Sequence, residues 1–134
     1  NSRKGRELLK NPYASLTFYW PNLERQVRVD GKTLKISASE SDAYFKTRPK
    51  GSQFGAMISP QSTVINNRQV LDEQYVELEK EYTRKDVARP SHWGGYVLKP
   101  NAIEFWQGRI NRLHDRILYT LLKDNHWNIE RLAP

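Results

Sequence analysis

The sequence predicts an α+β fold, a small β-barrel with short helices inserted between its strands. Strand-like runs rich in aromatic and β-branched residues lie near both ends of the chain, and segments with helical spacing and capping residues lie between them. The chain has 134 residues and no cysteine, and this length is enough to bury one core without disulfides. We therefore expect residues 1–134 to form a single domain.

The first half of the chain alternates helix and strand signals. Ser2 is suited to cap a helix, and Pro12 should end it. The segment from Ser39 to Asp42 has the pattern of a capping box, and Pro49 should stop the helix that it begins. Asp30-Gly31 indicates a turn or bulge. The predicted elements are a helix over 2–10, strands over 13–20 and 25–36, and helices over 39–48 and 52–58.

The second half of the chain predicts one long helix and four strands. Four apolar or aromatic residues recur at helical spacing and should form one buried stripe. They are Leu71, Tyr75, Leu78 and Tyr82. The predicted elements are a helix over 69–82, a loop over 85–90, and strands over 95–99, 102–107, 116–122 and 127–132.

The charge of the chain indicates its class of ligand. Lysine and arginine number 22 against 15 aspartate and glutamate, a formal net charge of +7, so we expect an anionic partner. The cations lie in short clusters of mixed sign, which leaves small phosphorylated ligands and nucleic acid both open at this point. No apolar run approaches the roughly 18 residues that cross a bilayer, so we predict no membrane span and a cytoplasmic protein.

Three cations, Arg3, Lys4 and Arg6, stand at the N-terminus of the first predicted helix. The helix dipole is positive at that end, so each cation costs about 0.3–1 kcal/mol unless an anion offsets it. A bound phosphate would meet both these side chains and free backbone N–H groups. A solvated, slightly frustrated helix end is the alternative.

A second candidate anion site combines Tyr44, Arg48 and Ser52. Tyr44 and Arg48 are four residues apart and share a helix face, and Ser52 follows the break at Pro49. A phenol, a guanidinium and a hydroxyl suit one phosphate. An arginine stacked on a surface tyrosine explains the first two residues as well.

A third candidate site lies at Arg112, His114 and Arg116. In an extended segment these three side chains point to one face. Two guanidiniums that flank an imidazole repel its charged form, so the arrangement favours a neutral His114 or an anionic ligand.

Three further segments supply the polar side chains, aromatic planes and glycines that suit a flat heteroaromatic ligand. They are Gln61-Ser62, Trp93-Gly94-Gly95 and Trp106-Gln107-Gly108. Core packing explains each of these tryptophans taken singly.

Several other classes of site lack their sequence patterns. The histidines at positions 92, 114 and 126 are far apart and without HExxH or HxH spacing, so we predict no metal site. Neither a dinucleotide-binding nor a P-loop glycine pattern occurs, and no serine lies in a G-x-S-x-G elbow. Because cysteine is absent, any redox chemistry must use a bound cofactor.

Nine ordered segments are distributed over the full length of the chain. They are Ser2-Arg3-Lys4, Phe18-Tyr19-Trp20, Glu24-Arg25-Gln26-Val27, Tyr44-Phe45 with Arg48-Pro49 and Ser52-Gln53, Gln61-Ser62, Trp93-Gly94-Gly95, Glu104-Phe105-Trp106-Gln107-Gly108, Arg112-Leu113-His114-Asp115-Arg116 and Arg131-Leu132-Ala133-Pro134. In order and spacing, these segments resemble the pyridoxine/pyridoxamine 5'-phosphate oxidase family. The resemblance implies an FMN-binding split barrel that works as a homodimer with flavin sites at the subunit interface. It implies oxidation of pyridoxine or pyridoxamine 5'-phosphate to pyridoxal 5'-phosphate, with O2 reduced to hydrogen peroxide.

The resemblance also implies roles for individual residues. By position, the FMN contacts are Arg3, Lys4, Gln26, Gln61, Ser62, Trp106 and Arg116. The residues that hold the substrate phosphate are Tyr44, Arg48 and Ser52. Arg112 and His114 are the catalytic pair, and they bind the substrate ring on the side opposite the flavin.

The chain departs from the family at its N-terminus. It begins with Asn1, and it lacks the family's first barrel strands and an Arg-x-x-x-Leu-Lys-like stretch that grips flavin and substrate. We expect one of two cases. Either a preceding segment or another chain completes the site, or the chain is a shortened, non-catalytic binder of FMN or pyridoxal phosphate. Nucleic-acid binding is not expected, because the aromatic residues fall in discrete motifs rather than on one strand face.

Overall fold

The structure of the chain is a computed structural model that describes residues 2–134. Within that range it contains four α-helices and five β-strands. They are α1 (Arg3–Lys10), β1 (Tyr13–Trp20), β2 (Arg25–Lys35), α2 (Ala38–Thr47), α3 (Lys50–Ile58), α4 (Gln69–Glu81), β3 (Tyr96–Gln107), β4 (Asp115–Leu121) and β5 (Trp127–Arg131). This content confirms the predicted α+β class. None of the described helices is long and apolar enough to cross a membrane.

The chain divides into two compact units. A helical unit contains the chain up to Lys10 together with Lys35–Tyr96, and a sheet unit contains Asn11–Leu34 and Val97–Pro134. The single domain expected over residues 1–134 stays a prediction, since two compact units are compatible with one domain or with two. Asn1, where that predicted domain begins, lies outside the described residues.

The core of the helical unit is built around one phenylalanine. Phe45 of α2 is 1% exposed, and the buried side chains of Phe54, Ala56 and Val87 surround it. Burying such a side chain contributes about 1.5–3 kcal/mol. The core therefore holds α2 and α3 together with the segment that precedes β3.

The predicted stripe of α4 packs against this core. Tyr75, Leu78 and Tyr82 all contact it, and the ring of Phe54 meets that of Tyr75 edge-on with 5.7 Å between centroids. The stripe is half-buried rather than fully buried. Core packing is thus confirmed for Tyr75, Leu78 and Tyr82, and Leu71 is not among the residues that contact this core.

The capping box of α2 lies two residues before the predicted one. Ser37 Oγ accepts from the backbone N–H of Glu40 at 3.1 Å, and Glu40 Oε2 accepts from the backbone N–H of Ser37 at 2.9 Å. The predicted box at Ser39 would have used Asp42. The longer side chain of glutamate reaches back to the N-cap, and this explains why the helix begins at the earlier serine.

The five strands form one sheet in the order β1-β2-β3-β4-β5, in which β1–β2, β3–β4 and β4–β5 are antiparallel. The sequence predicted two strands where β3 runs continuously through Pro100. Proline lacks an N–H group, but pairing with β4 begins only at Ala102, opposite Thr120. The missing donor therefore costs no hydrogen bond to β4.

Strand β2 also runs without interruption through Asp30-Gly31, where the sequence predicted a turn or bulge. Gly31 pairs with Ala14 of β1. A Cβ atom on Gly31 would lie 2.1 Å from the backbone oxygen of Lys99. The close approach of two backbones, rather than a turn, requires glycine at this position.

One side of the sheet carries exposed apolar side chains, and we call it the apolar face. The rings of Phe105 and Tyr119 meet edge-on with 5.4 Å between centroids, and Ile129 of β5 lies opposite Tyr119. Phe105 and Ile129 are 44% and 57% exposed. Because alternate residues of a strand point to opposite faces, Glu104 and Trp106 lie on the other side of the sheet.

We predict opposite effects from alanine at two glycines. Gly31→Ala should lower the free energy of unfolding by about 1–3 kcal/mol, because the new methyl group must displace a backbone carbonyl. Gly55→Ala in α3, where the described residues leave open space for a Cβ, should raise it by about 0.5–1 kcal/mol. Urea unfolding followed by circular dichroism measures both changes. A Gly31→Ala protein as stable as the wild type would contradict the packing of Gly31 against Lys99.

Candidate functional site

The first cluster of candidate residues lies where α2 ends and α3 begins. Arg48 is the C-cap of α2, and Pro49 is the N-cap of α3. The buried side chain of Gln53 holds this junction, because its Nε2 donates to the backbone oxygens of Phe45 and Arg48 at 3.0 and 3.2 Å. The backbone that carries Arg48 is therefore fixed by α3.

The guanidinium of Arg48 is stacked but not neutralised. Its Cζ lies 5.0 Å from the ring centroid of Trp93 and 5.9 Å from that of Phe45. Its Nη1 is buried and, among residues 2–134, has no hydrogen-bond partner. A buried donor without an acceptor costs about 1–3 kcal/mol, and more when it is charged. An anion that reaches Nη1 would remove this cost.

Tyr44 is joined to Arg48 through the same tryptophan. The ring of Tyr44 stacks on that of Trp93, with 6.1 Å between centroids and 19° between planes. Ser52 is exposed on the first turn of α3, where its backbone N–H donates to the oxygen of Pro49 at 2.8 Å. Trp93, which the sequence placed in a segment for a flat ligand, instead packs between two candidate phosphate-binding residues.

The N-terminus of α1 meets the Gln61-Ser62 loop, so two predicted flavin-binding segments come together. The backbone N–H of Arg3 donates to Oγ of Ser62 at 3.0 Å. Ser62 has a φ of 61°, in the left-handed region that non-glycine residues seldom adopt. Nε of Arg3 also pairs with Oε1 of Glu7 at 2.8 Å, which offsets part of the unfavourable charge at this helix end. The side chains of Lys4 and Gln61 are exposed.

The side of the sheet opposite the apolar face brings three predicted flavin contacts together, and we call it the charged face. Trp106 in β3 lies directly opposite Arg116 in β4. Arg28 in β2 reaches Glu104 in β3 at 3.4 Å, and Gln26 shares this side because it lies two residues from Arg28. The charged face thus consists of Gln26, Arg28, Glu104, Trp106 and Arg116.

Glu104 is the buried anion of the charged face. Its two oxygens accept from Nε and Nη2 of Arg116 at 2.8 and 3.1 Å. This bidentate bond lowers the pKa of Glu104, and burial opposes part of the shift. Nη1 of Arg116 donates to the backbone oxygen of Ala133 at 3.0 Å. Each nitrogen of the Arg116 guanidinium therefore has a partner, while the side chain stays 30% exposed.

Arg112 and His114 lie in a tight loop between β3 and β4, not in the extended segment that was predicted. Asn111 and Arg112 have φ values of 57° and 61°, so two consecutive residues are left-handed. Strand β4 begins only at Asp115. The prediction that Arg112, His114 and Arg116 share one strand face is therefore wrong. Left-handed backbone at non-glycine residues is concentrated at functional sites.

Asp115 closes this loop with two ion pairs. Its Oδ2 meets Nε of Arg109 at 2.8 Å, and its Oδ1 meets Nη1 of Arg131 at 2.6 Å. The hydrogen bonds from these guanidiniums lower the pKa of Asp115. The ion pairs hold together a loop whose backbone is strained, and Arg112 stays exposed at its centre.

His114 packs on the charged face. Its ring lies 4.8 Å from that of Trp106, and its Nδ1 accepts from the backbone N–H of Arg109 at 3.1 Å. A neutral imidazole whose Nδ1 is an acceptor carries its proton on Nε2. His114 can therefore donate a hydrogen bond from Nε2 to a ligand. A groove of about 410 Å³ lined by His114 and the C-terminal residues 131–134 adjoins the ring.

Sequence reasoning missed the residues that hold the candidate groups in place. No role was predicted for Gln53, Glu104 or Asp115, although each fixes a candidate arginine or its loop. Glu104 carries a signal that could have been used, since a carboxylate between apolar strand residues must meet a cation when it is buried. Within residues 2–134, no group of three or more His, Asp or Glu side chains could hold a metal ion.

Known families match the chain in two parts. A family model described as "Pyridoxamine 5'-phosphate oxidase" matches residues 1–81. Another, described as "Pyridoxine 5'-phosphate oxidase C-terminal dimerisation region", matches residues 93–134. The first match alone covers more than half of the 134 residues.

Curated relatives are similar over the whole chain. The pyridoxine/pyridoxamine 5'-phosphate oxidase of Trichormus variabilis is 54% identical over 134 residues, which are 100% of this chain and 63% of the relative. The protein of the same name from Christiangramia forsetii is 51% identical over 134 residues, 62% of its length. The chain thus spans less than two thirds of the length of these relatives.

Solved structures share the fold. PhzG from Burkholderia lata, in complex with tetrahydrophenazine-1-carboxylic acid, has a TM-score of 0.90 at 32% identity, over 99% of this chain and 64% of that one. A pyridoxamine 5'-phosphate oxidase-related, FMN binding protein from Nostoc punctiforme has a TM-score of 0.70 at 18% identity, over 99% of this chain and 69% of that one. These likenesses confirm the predicted split-barrel fold with short helices.

We predict that Glu104 stabilises the protein only while it is ionised. Because folding lowers its pKa, its contribution is present at neutral pH and is lost as the pH falls through the folded-state pKa. Glu104→Gln should lower the free energy of unfolding by roughly 1–3 kcal/mol at neutral pH, and its difference from the wild type should shrink in acid. Urea unfolding from neutral pH to about pH 3 measures this.

Glu130→Gln on β5 is the matched control, because this glutamate is exposed. It should change stability by less than about 0.5 kcal/mol across the same pH range. A Glu104→Gln difference that stays constant down to acid pH would contradict a stabilising role for the ionised carboxylate.

Proposed function

The chain belongs to the pyridoxamine 5'-phosphate oxidase family, and on this basis we propose that it takes part in the FMN-dependent oxidation of pyridoxine or pyridoxamine 5'-phosphate to pyridoxal 5'-phosphate. In this reaction O2 accepts the electrons and hydrogen peroxide is released. The relatives that bear the oxidase name are longer than the chain. The observation that carries the proposal lies within the chain: the buried Nη1 of Arg48, which has no partner among residues 2–134, beside Tyr44 and Trp93.

The cluster at Arg48 suits the phosphate of the substrate. A phosphate dianion accepts several hydrogen bonds, and a guanidinium offers a planar fork that matches two of its oxygens. The phenol of Tyr44 and the hydroxyl of Ser52 add neutral donors near the same helix junction. Because stacking on Trp93 orients the guanidinium before binding, the cluster favours a phosphate ester over the unphosphorylated vitamin.

Two groups of residues fit FMN. Arg3, Lys4 and the Gln61-Ser62 loop lie at the N-terminus of α1, where cationic side chains and backbone N–H groups suit a phosphate. The charged face supplies an aromatic plane and polar groups for a heteroaromatic ring. The bound flavin would supply the redox chemistry, hydride acceptance from the substrate and electron transfer to O2, which the side chains of this chain cannot provide.

Arg112 and His114 are the proposed catalytic pair. His114 would donate a hydrogen bond from Nε2 to the substrate, since its Nδ1 is already an acceptor. Arg112, on a left-handed backbone that two ion pairs of Asp115 hold in place, would orient the pyridine ring and stabilise charge near the reacting carbon.

We also propose a homodimer with its sites at the subunit interface. The match to a dimerisation region over residues 93–134 supports this, and that range carries much of the exposed apolar face. Exposed apolar area of this kind favours association. The cytoplasmic location stays a prediction.

Arg48→Ala should weaken binding of 4-deoxypyridoxine 5'-phosphate, a substrate analogue that lacks the oxidisable hydroxyl. We expect a loss of about 10- to 100-fold, because hydrogen bonds to charged groups contribute about 1.5–3 kcal/mol. Isothermal titration calorimetry measures the dissociation constant. Arg68→Ala, at the N-cap of α4, removes an exposed arginine whose Nε pairs with Oδ2 of Asp72 at 3.3 Å, and this variant should bind the analogue like the wild type. Unchanged binding by the Arg48→Ala protein would remove the basis of the proposed function.

Arg112→Ala should slow flavin reduction by pyridoxamine 5'-phosphate about 100-fold while it changes FMN affinity little, because Arg112 acts on the substrate. Anaerobic bleaching of the flavin absorbance measures reduction, and quenching of flavin fluorescence measures FMN affinity. An equal loss of both would contradict the catalytic role. A wild-type protein that binds FMN and the analogue but never bleaches would be a non-catalytic binder.

A further inference from the structure

Arg89 has no part in the proposed reaction, yet its side chain is almost buried. Arg89 belongs to the segment that connects α4 to β3 along the chain, and its side chain is 12% exposed. Arginine is seldom buried unless its guanidinium is fully engaged, because desolvation of the charge is costly. Its hydrogen bonds therefore identify what it holds in place.

Arg89 connects the turn that carries Trp93 to helix α2. Its Nε pairs with Oδ1 of Asp42 in α2 at 2.6 Å. Its Nη1 donates to the backbone oxygens of Pro90 and Trp93. The backbone N–H of Trp93 donates in turn to the oxygen of Pro90 at 2.9 Å. One guanidinium thus ties both ends of this turn to the helix.

Helix α2 also carries the residues that the ring of Trp93 contacts. Tyr44 stacks on this ring, and Phe45 meets it edge-on with 5.1 Å between centroids. The guanidinium of Arg48, the C-cap of α2, lies 5.0 Å from the same ring. The distance between the turn at residues 90–93 and α2 therefore sets the position of the Trp93 indole relative to the side chains of Tyr44 and Arg48.

We propose that Arg89 is a positioning residue for phosphate recognition and acts through Trp93. The inference rests on the proposed function of the Arg48 cluster. With Arg89 in place, the indole stays against α2 and orients the Arg48 guanidinium and the Tyr44 phenol. Without it, the turn at residues 90–93 loses its link to Asp42, and the two donors lose their common support. The cost should fall on recognition of the phosphate ester.

The test measures the affinity of the full chain, as purified, for two ligands, the phosphorylated substrate analogue and FMN. Arg89→Met should weaken binding of 4-deoxypyridoxine 5'-phosphate about tenfold with unchanged stoichiometry. FMN affinity, measured by quenching of flavin fluorescence, should change by less than about twofold. Arg89→Lys keeps the charge but lacks the fork that reaches Asp42 and two carbonyl oxygens together, so its loss should be intermediate.

Two further variants serve as controls. Arg68→Met makes the same chemical change at an arginine whose side chain is 87% exposed, and it should leave both affinities unchanged. Asp42→Asn removes the carboxylate that pairs with Arg89 but leaves the hydrogen bonds of Arg89 to the turn. It should weaken binding of the phosphorylated analogue by about threefold. If Arg89→Met does not fold, Asp42→Asn decides the outcome.

The possible results separate the inference from the function on which it rests. If Arg48→Ala binds the analogue normally, the proposed function fails. If Arg48→Ala weakens binding while Arg89→Met and Asp42→Asn stay within about twofold of the wild type, only the positioning role is overturned. An equal loss of FMN and analogue affinity in Arg89→Met also overturns it, because general loss of structure affects both ligands.

Discussion

The ion pair between Glu104 and Arg116 is the interaction on which the sheet unit depends. A buried carboxylate is tolerated only where cations meet it, and here Arg116 comes from β4 and Arg28 from β2. These contacts join three neighbouring strands. A slip of one residue in any of them would turn a charged side chain toward the apolar face. The ion pairs of Glu104 therefore fix both the register of these strands and the arrangement of side chains on the charged face.

In the helical unit, the ring of Trp93 is the group that joins neighbouring residues. Trp93 contacts Tyr44, Phe45 and Arg48, which all belong to α2 or cap it. Stacking on Trp93 covers one face of the Arg48 guanidinium but satisfies none of its N–H donors. The same packing that completes the core thus leaves one charged donor, Nη1 of Arg48, without a hydrogen-bond partner among residues 2–134. The structural role of Trp93 and the proposed binding role of Arg48 therefore depend on the same contacts, because the core lies directly beneath the helix junction.

The positive charge of the chain has several uses. The net charge of +7 predicts an anionic ligand but does not say which cations meet it. Arg3, Arg116 and Arg131 each pair with a carboxylate of the protein, whereas Nη1 of Arg48 has no partner among residues 2–134. Only the second kind of cation leaves a desolvation cost for a ligand to remove. Arg48 is for this reason the arginine that best indicates where an anionic ligand would bind. The sequence alone does not distinguish it from the other arginines.

The sequence by itself determined the order and type of most elements and supplied the candidate residues. The bounds predicted for β1 match the structure, and α4 begins at the predicted Gln69, because strand alternation and helical spacing depend on residues close in the chain. Only the tertiary structure decided that β2 passes through Gly31 and that Arg112 lies in a left-handed loop. Glu104 and Arg116 are 12 positions apart, and Asp42 and Arg89 are 47 apart. Contacts between such distant residues settle which charges are neutralised, and no local pattern contains that information.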